Sequence, residues 1–167
     1  MTHLRYGSKK AIDTAVDPYL SKEPPADNTT CGKCGALYHN KRWSFVEATV
    51  KPVAEETKDH TVLCPACQKI RDGFARGFVT LEGTFVAAHS EEIVNLIRNK
   101  EKRAMYHNPL ERIIEIKETA RNLEVTTTTE KLAQRIGAIL KKAYKGELEY
   151  KWSDGVKLAR VEWRRDE

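Results

Sequence analysis

The clearest pattern of apolar and polar positions lies between Glu130 and Tyr144. Leu132, Ile136, Ile139, Leu140, Ala143 and Tyr144 recur at the spacing of an amphipathic helix. Thr129 or its neighbour can cap its start, and Lys145-Gly146 can close it, with Gly146 suited to a left-handed position. Leu110 to Lys117 and Leu123 to Thr128 read as two strands before this helix. After it, Leu148, Tyr150 and Trp152 alternate on one strand and Ala159, Val161 and Trp163 on the next, with Asp154-Gly155 as the turn. The order β-β-α-β-β predicts an α+β unit over residues 109–167, one helix packed on an antiparallel sheet.

Upstream the pattern is more broken. Ser90 is placed to cap a connecting helix over 90–108, in which Ile93, Leu96, Ile97 and Ala104 mark one face and Asn108-Pro109 the end. Phe78 to Leu81 and Thr84 to Ala87 flank Glu82-Gly83, which suggests a hairpin. Trp43 to Val50 reads as a strand, residues 55–60 as a turn or hairpin tip, and Thr61 to Leu63 as a returning strand. Residues 1–30 show no sustained period, contain Pro18, Pro24 and Pro25, and balance four basic residues against four acidic ones. They read as a flexible N-terminal extension: a disordered tail, or an arm that orders on a partner through Arg5, Tyr6, Lys9 and Lys10.

Between the extension and the helix lie all four cysteines, as Cys31-Gly-Lys-Cys34 and Cys64-Pro-Ala-Cys67. Each Cys-x-x-Cys turn aims two sulfurs at one point, so two such turns can supply four thiolates to a tetrahedral metal, with zinc the expected ion. Gly32, Gly35 and Pro65 favour the tight turns required. Two disulfides or a reduced dithiol are the alternatives. Four cysteines would close the coordination shell, so a single structural Zn2+ is expected rather than a catalytic one. His39 and His60 could replace a cysteine in principle, but with four thiolates at hand they read as spectators. Residues 31–89 are therefore expected to form a four-cysteine zinc ribbon and a following hairpin.

Composition changes this picture only modestly. The chain has 167 residues, 40% apolar and 32% charged, with a net charge of +5; its mean hydropathy is -0.60 and its pI about 9.0. No apolar run approaches the ~20 residues that cross a bilayer, and Met1 to Gly7 lacks a secretory apolar region. A cytoplasmic protein with no membrane partner is expected; its oligomeric state is not legible. The distribution of charge is more informative. Lys131, Arg135, Lys141, Lys142 and Lys145 sit on one helix with no acidic residue between them. Such a face is either solvated surface or a phosphate-tracking surface, and the adjacent metal module favours the second. Trp43 and Trp152 are candidates to stack on bases, or core residues. No Gly-x-Ser-x-Gly, His-Glu-x-x-His or Walker pattern is present, and His89 and His107 lack a nearby nucleophile, so catalysis is not expected. A DNA-binding regulator and a protein–protein adaptor stay open beside RNA binding.

Several stretches together resemble a known family. They are Asp17-Pro-Tyr19, Cys31 to Ala36 with Arg42-Trp43, Cys64 to Cys67 with Ile70-Arg-Asp72, Gly77 to Leu81, Asn108 to Ile113, Val125 to Thr128, Leu132 to Gly137 and Ala143 to Gly146. The chain resembles a largely uncharacterised bacterial family of small zinc-ribbon proteins. It is similar, more distantly, to the archaeal and eukaryotic adaptor that exports the large ribosomal subunit. That adaptor is longer, and its eukaryotic members carry more cysteine pairs and an export-signal tail. What the resemblance implies is binding to the ribosome or to ribosomal RNA, and not nuclear export.

Overall fold

The computed structural model describes residues 17–20, 23–45, 62–153 and 157–167. Residues 46–61, with the expected turn, His60 and most of the strand to Val50, lie outside these, as do residues 1–16 and the Asp154-Gly155 turn. The chain is mixed α+β: a cysteine-rich unit near the start, then helices packed on one face of a five-stranded sheet.

In the first unit, β1 (Thr29–Thr30), β2 (Leu37–His39) and β3 (Arg42–Ser44) form a small antiparallel sheet. Thr29, in the expected extension, thus pairs with Tyr38. Residues 17–20 are also tied down: the Tyr19 hydroxyl donates to Asp72 at 2.9 Å and Lys69 Nζ lies 2.7 Å from Asp17 Oδ2. Lys69 belongs to α1 (Pro65–Asp72), a helix where the sequence pattern predicts only the second Cys-x-x-Cys turn. Val62 and Leu63 are in no strand. Pro65 explains the helix, because its fixed φ suits the first helical position and its missing N–H is not needed there. Gly73 ends it at φ 64°, and the Phe74 N–H bonds back to Lys69 O.

The main sheet has the order β5-β6-β4-β8-β7. Its strands are β4 (Gly77–Glu82), β5 (Ile113–Glu118), β6 (Asn122–Thr127), β7 (Glu147–Trp152) and β8 (Ala159–Arg164). Neighbours run antiparallel except β4 and β8, which are parallel. β4 corrects the sequence reading: residues 78–87 form no hairpin. β4 is the central strand, with β6 on one side and β8 on the other, so neither edge is free for a hairpin mate. The second half of the expected hairpin is the short helix α2 (Thr84–Ala88). Phe85 and Val86 are consecutive and both buried, which a helix allows and a strand, pointing them to opposite faces, does not.

α3 (Ser90–His107) follows at once. Its N-cap is His89, not Ser90, and no side chain caps it; Glu91 and Glu92 do lie in its first turn. α4 (Glu130–Tyr144) matches the predicted helix, with the Thr129 hydroxyl accepting from Leu132 N at 3.2 Å. Leu132, Ile136 and Leu140 of α4, Ile93 and Ile97 of α3, and Val79, Leu81, Leu123, Val125, Val161 and Trp163 of the sheet are buried in one core. The helix presses close. A Cβ on Gly137 would lie 2.6 Å from the Val161 methyl and 3.1 Å from that of Leu148. On the opposite face of the sheet, Phe78, Thr80, Arg160 and Glu162 are half-buried or exposed.

Candidate metal centre and cationic groove

The two Cys-x-x-Cys turns meet. One sulfur from each of Cys31, Cys34, Cys64 and Cys67 lies within 4.8 Å of all the others, and the Cys34 and Cys64 sulfurs are 3.7 Å apart. A zinc–thiolate tetrahedron with bonds of about 2.3 Å has edges of roughly 3.8 Å, so the spacing suits one ion. All four cysteines are free of disulfides. Cys31, Cys64 and Cys67 are buried and Cys34 is half-buried.

Local structure explains the convergence. In the first turn, Gly35 takes φ 76° so that its N–H reaches Cys31 O, while Cys31 N donates to Ala36 O. In the second, Cys64 is the N-cap of α1 and its sulfur accepts from Cys67 N at 3.4 Å. This N–H at the positive end of α1 favours the Cys64 thiolate, though burial outweighs it. The turns are joined by Gly32 N donating to Val62 O and Cys64 N donating to the Cys31 sulfur. Burial works against ionising Cys31, yet N–H donation from Cys34, Cys64 and Lys33 brings its thiol down to about 6. Burial pushes Cys67 up to about 11 and Cys64 upward as well, with the neighbouring thiolates adding to both. Crowding several thiolates makes each further ionisation costly, and a bound divalent cation would remove that cost.

Trp43 does not stand free. It packs against the cysteine cluster beside Leu63 and Leu110, and its ring lies 5.3 Å from Tyr38, edge to face. Trp152 is 56% exposed. His39 is 3.1 Å from Asp27 and is not among the clustered metal ligands.

The structure divides the basic residues of α4. Lys131, Arg135 and Lys142 are exposed and follow one another at i, i+4 and i+11, a single stripe down the helix, and the exposed Lys145 continues it at the C-cap, where the backbone has left the helix at φ 61°. Lys141 lies off the stripe and its ammonium donates to Gly146 O at the helix end. Arg135 is anchored: Glu111, only 2% exposed, receives its Nη1 at 2.7 and 2.6 Å on the two carboxylate oxygens. Beside this stripe runs a groove of about 370 Å³ lined by Lys100, Arg103 and His107 of α3 and by Glu111, Lys131 and Arg135. Lys100, Arg103 and His107 recur at i, i+3 and i+7 on α3, a spacing present in the sequence but not singled out there. Glu111 carried no such signal, since only the fold brings it to Arg135.

One loop serves both places. Between α3 and β5, Leu110 packs on the cysteine cluster while the adjacent Glu111 reaches Arg135. Thr128 pins this loop: its buried hydroxyl donates to Leu110 O at 2.6 Å and accepts from Arg112 N at 2.9 Å. Among the described residues no helix is long and apolar enough to cross a membrane. Comparison with known proteins returns no matching family model, no matching curated protein and no matching solved structure.

Proposed function

We propose that this chain is a non-catalytic, zinc-stabilised protein that binds structured RNA, with the ribosome or ribosomal RNA as its setting. The observation that carries the reading is the exposed stripe Lys131, Arg135, Lys142 and Lys145, which no acidic side chain of α4 interrupts. From Lys131 to Lys142, at 1.5 Å per residue, it extends about 16 Å, longer than any single small anion and suited to a polyanionic backbone. The cysteine cluster supports the zinc assignment, because thiolate ligands in a closed tetrahedral set favour Zn2+ and leave no position for a reacting water. Trp43, half-buried on that cluster, gives the module a rigid edge rather than a free stacking platform.

The test is cofractionation. Wild-type protein in a sucrose gradient should run with ribosomes, and a Lys131→Glu/Lys142→Glu variant should leave that fraction while retaining its metal and its circular dichroism spectrum. Cofractionation of that variant at the wild-type level would reduce the stripe to solvated surface. A wild type that never meets ribosomes but retards duplex DNA at physiological salt would establish the DNA-regulator reading instead.

A further inference from the structure

The groove between α3 and α4 holds more uncompensated charge than folding requires. Lys100, Arg103 and Lys131 line it, and among the described residues none of the three has a carboxylate within 4.0 Å. Elsewhere on the surface cations do find acids, as Lys151 finds Glu162 at 3.1 Å and Arg98 finds Glu101 at 3.5 Å. The fourth cation, Arg135, is held at the groove by a carboxylate that is itself almost completely buried. Burying Glu111 is costly unless it is paired, so the pair fixes the guanidinium in place. An arginine held by one carboxylate oxygen pair through a single nitrogen keeps other N–H groups free to donate.

We infer that this groove is a phosphate-binding subsite for the RNA backbone, in which Lys100 and Arg103 of α3 and Lys131 of α4 contact phosphates and Glu111 positions Arg135 to do the same. The inference rests on the RNA reading and deepens it, because it assigns binding residues on a second helix. An RNA strand is favoured over an isolated anion because the groove opens onto the α4 stripe. Lys131 and Arg135 belong to both, so a chain leaving the groove meets Lys142 and Lys145 next. Lysine supplies point charges and arginine a planar fork, and the two together suit successive phosphates on a curved backbone. Asn108 and His107 at the same groove can donate further hydrogen bonds to sugar or phosphate oxygens.

The experiment measures binding of the full chain to a labelled RNA stem–loop over a range of salt concentrations. Two double variants with the same change in net charge are compared: Lys100→Glu/Arg103→Glu in the groove, and Lys117→Glu/Arg121→Glu at the far end of the β5–β6 hairpin. The groove variant should bind on the order of ten- to a hundredfold more weakly, with a salt slope shallower by up to about one unit per lost contact. The hairpin variant should stay within a few-fold of wild type. Equal weakening by the two variants would mean that only overall charge matters, and would overturn the subsite. Unchanged binding by the groove variant, with loss in Lys142→Glu/Lys145→Glu, would overturn the subsite and leave the RNA reading standing. A wild type that does not bind the stem–loop overturns both.

Discussion

Gly137 shows how two residue-scale effects of opposite sign are decided by distance. Helix propensity alone favours alanine over glycine in a helix interior by about 1 kcal/mol. The structure opposes this, since the added methyl would sit 2.6 Å from Val161 and 3.1 Å from Leu148, inside the core between α4 and the sheet. Forcing an extra methyl into a filled core costs about 1–3 kcal/mol. Gly137→Ala is therefore expected to lower the melting temperature by a few degrees despite its better propensity, as thermal unfolding at fixed metal content would show. A raised midpoint would mean that the helix can lift from the sheet without loss. The same logic explains Gly77 on β4. A Cβ there would collide with the Thr127 hydroxyl and lie 2.6 Å from Ala133, so the start of α4 can settle on the strand only over a glycine. Neither requirement was legible from sequence, because both depend on which residues face the glycine across the fold.

Elements were legible where local pattern and tertiary role agree. α4 has its cap, its apolar face and its closing glycine in consecutive residues, and it forms over the expected span, with Ala143 alone of the expected face exposed. The strands of 110–128 and 147–164 form near the expected bounds for the same reason. Thr84–Ala88 failed because Glu82-Gly83 imitates a hairpin turn. Gly83 is there for another purpose: at φ 114° it accommodates the backbone of Arg165, whose carbonyl accepts from Phe85 N at 3.3 Å. α1 was hidden for a related reason. A Cys-x-x-Cys pair reads as a turn, and only Pro65 hints that the second one opens a helix. Because Cys64 is at once helix cap and candidate ligand, its replacement removes two supports together. Cys64→Ala should release the expected single zinc per chain and lose the helical signal of α1, while the sheet, whose core contains no cysteine, keeps its far-ultraviolet spectrum. Metal analysis that still finds one ion in the variant would mean that Cys64 is not needed to hold it.

At the scale of the whole molecule, the order of strands decides what can fold alone. The residues from 109 onward contain four strands and a helix, which by pattern make a complete β-β-α-β-β unit. In the sheet, however, β6 and β8 are not neighbours; β4 lies between them and hydrogen-bonds both, and β4 precedes residue 109. Without it the fragment would hold two separate antiparallel pairs, each marginal in water by itself. It would also lose Val79, Leu81, Phe85, Val86, Ile93 and Ile97 from the core that covers α4. A fragment beginning at Phe74 keeps all of these, together with the pairing of Arg76 N with Thr127 O and of Ala159 N with Arg76 O at the head of the strand. What it loses is the cysteine unit and its contacts through Lys69 and Leu110, which lie at the margin of the sheet's core rather than within it. The expectation is that residues 74–167 give a soluble protein with one cooperative thermal transition, whereas residues 109–167 give a disordered or aggregated chain. Circular dichroism melts of the two fragments decide it. A cooperative melt from 109–167 would mean that β6 and β8 can pair directly, and that β4 is an insertion into a sheet already able to close without it.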